Sequence, residues 1–173
     1  SADIASADVD LDGDQDLIIS GNRNVNGIGT SDLYLNDGAA NFTQSNDFAL
    51  SSAWRGSVDV ADVNNDNYPD VLITGLSSGT GIGAVADLYI NDGSGSFNKD
   101  LSVPWPGSLD GCGKFADVDG DGDQDVVITG RAKLGFPKRE YTDLFLNDGT
   151  GSFERQVERP FDQFFDSEAE FAD

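Results

Sequence analysis

An aspartate-rich nine-residue motif recurs three times in this chain at almost constant spacing, and it leaves few folds open. Asp8, Asp62 and Asp117 begin the copies, so the period is 54 and then 55 residues. The copies end at Asp16, Asp70 and Asp125, and each runs on into a short apolar stretch closed by Gly21, Gly75 or Gly130. A second element keeps the same phase. It starts at Asp32, Asp87 and Asp143, reads Asp-Leu-aromatic-aliphatic-Asn-Asp-Gly, and is followed after a small loop by Phe42, Phe97 or Phe153. Two motifs held in register over three copies mark a stack of repeated structural units.

Each period reads as four short strands. The first precedes the acidic loop. The second covers residues 17–20, 71–74 and 126–129, apolar runs rich in β-branched residues that are expected to stop at the glycine. The third covers 33–35, 88–90 and 144–146 and ends in Asn-Asp-Gly, a hairpin signal because these residues tolerate positive φ. The fourth begins at the phenylalanine. A period of this length with four strands predicts an all-β protein made of β-propeller blades. The repeats are 1–53, 54–108 and 109–164, with 165–173 as the first strand of a following one. That last segment is read from Glu170-Phe171-Ala172-Asp173, which mirrors Lys114-Phe115-Ala116-Asp117. Starting at Ser1 with no visible signal peptide, and stopping inside a motif, the sequence reads as a segment of a longer chain. A single blade cannot cover both faces of its sheet, so the core belongs between blades. Leu17, Ile19, Leu33, Leu35 and Phe42, with their counterparts, are expected to fill it.

The acidic loop is a cation-binding pattern. Carboxylates at alternate positions of a tight loop converge on one point. The sixth position (Gly13, Asn67, Gly122) suits a left-handed turn. The seventh (Asp14, Tyr68, Asp123) is expected to offer its backbone carbonyl, and the ninth brings the last carboxylate. Hard oxygen donors suit Ca²⁺ over zinc or copper. Unit charges about 4 Å apart repel by roughly 1 kcal/mol in water and about 4 kcal/mol at an effective dielectric of 20, so several such pairs in one loop call for a counter-ion. A set of Asx-turns without metal is the plainer alternative, and it is strongest for the second loop, where Asn64 removes a charge. An EF-hand or dockerin needs a Glu at position twelve and flanking helices. Position twelve here is Ile19, Ile73 or Ile128, inside a strand, so that reading fails.

With these motifs the chain resembles the FG-GAP/VCBS repeat family of integrin-α-like propellers. The resemblance implies a propeller, often seven-bladed, with about one Ca²⁺ per repeat in the hairpin between the first two strands. It implies side-chain ligands Asp8, Asp10, Asp12 and Asp16, then Asp62, Asn64, Asp66 and Asp70, then Asp117, Asp119, Asp121 and Asp125. Three blades and one strand do not close a ring of four to eight, so completion calls for further sequence, other chains or an open stack.

Composition narrows the function. The net charge is −22, with 32 acidic and 10 basic residues, which argues against nucleic acid as a partner. No apolar run reaches the roughly 18 residues that cross a bilayer. Histidine is absent and Cys112 is the only cysteine, which removes Cys–His pairs and the usual triads and leaves Cys112 as a small buried residue. Weak calcium sites fill outside cells and not in cytosol, so the expected location is extracellular, secreted or on the cell surface.

Function then falls to the variable loops at 22–31, 76–86 and 131–142. The third holds Arg131, Lys133, Lys138 and Arg139, either an ordinary solvated loop or a seat for an acidic glycan or a partner's carboxylate. Trp54 and Trp105 precede the first strands of repeats two and three, where inter-blade packing is favoured over sugar stacking. Asn41-Phe42-Thr43 is a glycosylation triplet of little weight. The favoured reading is a module for adhesion, protein or glycan binding, or structural assembly. The alternatives are the propeller part of a polysaccharide-degrading enzyme, with Tyr141 beside Arg139 as its only nominee for β-elimination, and a subunit of an extracellular fibre whose chains complete one another.

Overall fold

The computed structural model describes residues 2–23, 29–45, 50–77, 83–93, 96–103, 105–132, 140–157 and 161–162. Among these residues there are strands and no helix, and therefore no helix long and apolar enough to cross a membrane. The 165–173 segment lies outside the described residues, as do Lys133, Lys138 and Arg139.

Three antiparallel sheets follow one another along the chain. The first is β1 (Ala2–Ala7), β2 (Asp16–Asn22), β3 (Gly29–Asn36) and β4 (Phe42–Gln44), paired in that order. The second holds β5 (Ala53–Trp54), β6 (Val58–Ala61), β7 (Asp70–Ser77), β8 (Ala84–Asn91) and β9 (Phe97–Lys99). The third is β10 (Gly113–Ala116), β11 (Asp125–Arg131), β12 (Glu140–Asn147) and β13 (Phe153–Arg155). Each acidic loop joins the first two strands of its meander, and the register closes on it: Ala7 pairs Asp16, Ala61 pairs Asp70 and Ala116 pairs Asp125.

Two details depart from the sequence reading. The second sheet has five strands, because β5 pairs with the far end of β7 through Ala53–Ser77 and Trp54–Leu76. The strands after the loops also run past their glycines. Gly75 stays in register opposite Val85, and its missing β-carbon leaves room for the Trp54 carbonyl on β5. Glycine there serves a close backbone approach and not a strand end.

The core lies between the sheets, as expected. One cluster joins Val9, Ile18 and Leu33 of the first sheet to Val58, Val71, Ile73 and Tyr89 of the second. The other joins Val63, Leu72 and Leu88 to Phe115, Val126, Ile128 and Phe145 of the third. Side chains alternate across a strand, so one face of each sheet looks back along the chain and the other looks forward. In the first sheet Ile18 is therefore the buried large apolar side chain of β2, while Leu17 and Ile19 face away from the second sheet and are only half-buried. Cys112 is buried, with its sulfur 3.5 Å from Thr129 Oγ1.

Polar groups lace the sheets together at matched positions. Val58 N donates to Asp3 Oδ2 at 3.1 Å, and Gly113 N donates to Ser57 Oγ at 2.8 Å. Asn91 Nδ2 donates to the Val9 carbonyl at 2.8 Å, and Asn147 Nδ2 donates to the Val63 carbonyl at 2.7 Å. Each asparagine opens the Asn-Asp-Gly hairpin of one sheet and reaches the acidic loop of the sheet before it.

Candidate metal centres

The three loops share most of one hydrogen-bond scheme, and the third differs in which N–H its first aspartate takes. The first aspartate turns the chain back on itself. Asp8 accepts Asp12 N at 3.0 Å and Gly13 N at 2.9 Å, and Asp62 accepts Asp66 N at 3.1 Å and Asn67 N at 2.7 Å. Asp117 accepts Gly120 N at 2.7 Å and Gly122 N at 3.0 Å. The fifth-position aspartates Asp12, Asp66 and Asp121 each accept the N–H of the seventh residue at 2.8–3.0 Å. The sixth residue is left-handed in all three copies, with φ of 99° at Gly13, 72° at Asn67 and 98° at Gly122.

The ninth-position aspartates are buried. One oxygen of each accepts the N–H of the second loop residue, Val9, Val63 or Val118, and the other accepts the N–H of the hairpin asparagine, Asn36, Asn91 or Asn147, all at 2.9–3.0 Å. Asp16, Asp70 and Asp125 thus tie the acidic loop to the hairpin between the third and fourth strands. Burial pushes the Asp16 carboxyl up, against the two N–H donors that pull it down. Burial does the same at Asp70, helped by the Asp66 and Asp62 charges, and takes it to about 6.

The seventh-position residues show a feature beyond the carbonyl role foreseen for them. The side chains of Asp14, Tyr68 and Asp123 lie over Gly38, Gly93 and Gly149 of the hairpins, where a β-carbon would overlap them. Those glycines also have φ of 71–78°. The second left-handed position of each loop, Leu11, Asn65 or Gly120, was not foreseen either, because only the glycine signals it.

Carboxylate oxygens of Asp8, Asp10 and Asp16 lie within 4.8 Å of one another, as do those of Asp117, Asp119 and Asp121. The donors are all hard oxygens and fit a calcium-sized cation. The second loop differs. Asn64 Nδ2 donates to Asp66 Oδ2 at 2.9 Å, and Asn64 Oδ1 accepts Asp66 N at 3.1 Å. Its amide therefore spends itself on a neighbouring carboxylate.

Residues 8–73 match the FG-GAP-like repeat family. The FG-GAP-like stretch runs from the opening aspartate of the first loop to Ile73 in β7, so it covers one whole period and the start of the next. The third loop lies beyond that match and repeats the scheme of the first, except that Asp117 takes the N–H of Gly120 where Asp8 takes that of Asp12. No curated protein matches the chain.

At the other end of the long strands, Arg131 closes β11 and binds Asp110, which also takes a two-point contact from Arg55: Nε to Oδ1 at 2.5 Å and Nη2 to Oδ2 at 2.6 Å. The Arg55 guanidinium sits 5.6 Å from the Trp54 ring centroid. Trp105 packs edge-on against Phe145 and Phe153, with centroids 4.8 and 5.0 Å away. Tyr141, the nominee for β-elimination, is buried, and its hydroxyl donates to the Pro106 carbonyl at 2.8 Å. Burial holds its proton well above the usual tyrosine range, so Tyr141 is not placed to serve as a base.

Proposed function

We propose that the chain is a calcium-binding repeat module of β-propeller type that works outside the cell in adhesion, ligand binding or structural assembly. The carrying observation is the convergence of three carboxylates in the first loop and three in the third within 4.8 Å. In this reading residues 1–53, 54–108 and 109–164 are three blades, and each takes one ion. The ion's positive charge supplies what the loop lacks. Asp8, Asp10, Asp12 and Asp16 hold it in the first blade, with Asp117, Asp119, Asp121 and Asp125 in the third. Asp62, Asn64, Asp66 and Asp70 form a weaker second site, since Asn64 brings no charge and is engaged with Asp66.

The ion's role is structural. The ninth aspartate joins acidic loop, first strand and hairpin, so a cation on it fastens three segments together. An external protein or glycan would meet the loops at the opposite end of the long strands, near Trp54, Arg55 and Arg131. At ten times the Kd each site adds about 1.4 kcal/mol by mass action. Two sites then raise the melting temperature of a chain this size by about 5–10 °C. Melting in millimolar calcium against excess chelator tests this. A shift of that size supports the reading, and superimposable curves reject it.

A further inference from the structure

Asn65 stands fourth in the second acidic loop, between Asn64 and Asp66, and its side chain reaches out of its own loop. Its Nδ2 donates to Asp123 Oδ1 at 2.9 Å and to the Gly149 carbonyl at 3.1 Å. Asp123 is the seventh residue of the third loop, and Gly149 is the hairpin glycine over which that carboxylate lies. One amide of the second sheet therefore meets both members of a contact that belongs to the third. The same hairpin rests on the second loop from the other side, since a β-carbon on Gly151 would lie 3.5 Å from Asn64 Cβ.

On the reading proposed above, both ends of this bridge belong to metal loops. Asn64 and Asp66 are ligands of the second site, so an ion there fixes the backbone on either side of Asn65. Asp123 offers its backbone carbonyl to the third ion. Its N–H is already held by Asp121 Oδ1 at 2.9 Å, and Asn65 holds its carboxylate by a charge-assisted bond. A seventh residue held at both points has less freedom to lose when the third ion binds. The first interface cannot form this bridge. The fourth residue of its loop is Leu11, which carries no donor, and the seventh residue of the second loop is Tyr68. The Asn91–Val9 and Asn147–Val63 bonds, in contrast, tie loop to hairpin at both interfaces alike.

We infer that Asn65 is a positioning residue that couples the second metal loop to the third, so that filling the second raises the calcium affinity of the third more than that of the first. The inference rests on the metal reading. By linkage, filling the third loop raises the affinity of the second by the same factor. The first and third loops carry five aspartates each, so the plain electrostatic effect of an ion in the loop between them is matched and drops out of the comparison. A bridge through one exposed amide supports a coupling near the lower end of the usual range, about fivefold.

Heteronuclear NMR of the 173-residue chain during a calcium titration reads the loops one at a time. The reporters are the amides of Gly13, Asn67 and Gly122, each of which donates to the first aspartate of its own loop. Asp66→Asn removes a charge from the second loop, keeps an oxygen for Tyr68 N, and is expected to empty that site at calcium levels that fill the other two. Asp62→Asn is added if the Asn67 amide still responds. With the second loop empty, the Gly122 isotherm is expected to move to about fivefold higher calcium, and the Gly13 isotherm to move less. Asn65→Gly removes the amide and keeps the left-handed backbone, whose φ is 59°, without strain. In the Asn65→Gly background, emptying the second loop is expected to move the Gly13 and Gly122 isotherms equally. Amide dispersion confirms that each variant folds. Equal movement of the two isotherms with Asn65 present overturns the inference, as does a difference that persists after the amide is removed. Amides that ignore calcium in every loop would discard the metal reading and this inference with it, whereas three clear isotherms without the coupling would discard this inference alone.

Discussion

The hairpin asparagines offer a direct measure of how much one sheet depends on the next. Asn147 is buried and makes three side-chain hydrogen bonds: to the Val63 carbonyl at 2.7 Å, to the Gln124 carbonyl at 3.1 Å, and from Gly149 N at 3.2 Å. Asn91 repeats this with Val9, Pro69 and Gly93. A typical hydrogen bond contributes about 1 kcal/mol net, and a buried group left without its partner costs about 1–3 kcal/mol. Asn147→Ala and Asn91→Ala are therefore each expected to lose about 3 kcal/mol, a large share of the roughly 5–15 kcal/mol that holds a domain together. Asn36 occupies the same motif position but, among the described residues, makes one such bond and keeps an unpartnered oxygen. Asn36→Ala is expected to cost about 1 kcal/mol or less. Urea unfolding of the three variants in millimolar calcium, followed by tryptophan fluorescence, gives the comparison. Equal losses at all three positions would refute the argument, because a purely local turn effect does not distinguish them.

Leu11 holds φ of 55°, a conformation costing a β-carbon residue about 1 kcal/mol or more, so Leu11→Gly is expected to raise stability by about that amount in the same unfolding assay. Asn64→Asp is expected to tighten the second loop for calcium, by restoring a charge and removing the amide's bond to Asp66, as read by a competing chromophoric chelator. Asp70 gives a pH signature. Its folded value of about 6 lies above the ordinary 3.8, so between those limits the folded state binds the extra proton and metal-free stability falls as pH rises, by up to about 3 kcal/mol. On the proposed reading calcium takes the ionised loop, so saturating calcium is expected to abolish or reverse that slope, which melting from pH 4 to 7 with and without chelator would reveal.

Much of the architecture is legible in the sequence because the repeat carries its own register. Asp8, Asp62 and Asp117 fix where each hairpin turns, and the Asn-Asp-Gly elements fix the next one. The phenylalanines mark where β4, β9 and β13 begin. What the pattern does not carry is which side of each sheet finds a neighbour. Leu17 and Ile18 look alike in a run of apolar residues, and only the stacking of sheets makes one buried and the other half-exposed. The extra strand β5 was hidden for a similar reason: Ala53 and Trp54 pair across the glycine end of β7, a contact with no local signal. Within the loops, the converging carboxylates follow from spacing, and the left-handed sixth residue follows from Gly and Asn. The packing of Asp14, Tyr68 and Asp123 over the hairpin glycines joins residues about 25 apart in sequence and has no motif of its own. Tyr141 shows the same limit, since its burial against Pro106 depends on the long connection before β10.

The account rests on oxygen-lined loops taking up divalent cations. Isothermal calorimetry with calcium, on the wild-type chain and on Asp16→Asn and Asp125→Asn, tests it most directly. Two stronger uptake events and one weaker are expected for the wild type, with one of the stronger lost in each variant. Heats no larger than dilution up to several millimolar calcium, or isotherms that the two substitutions leave unchanged, would contradict it.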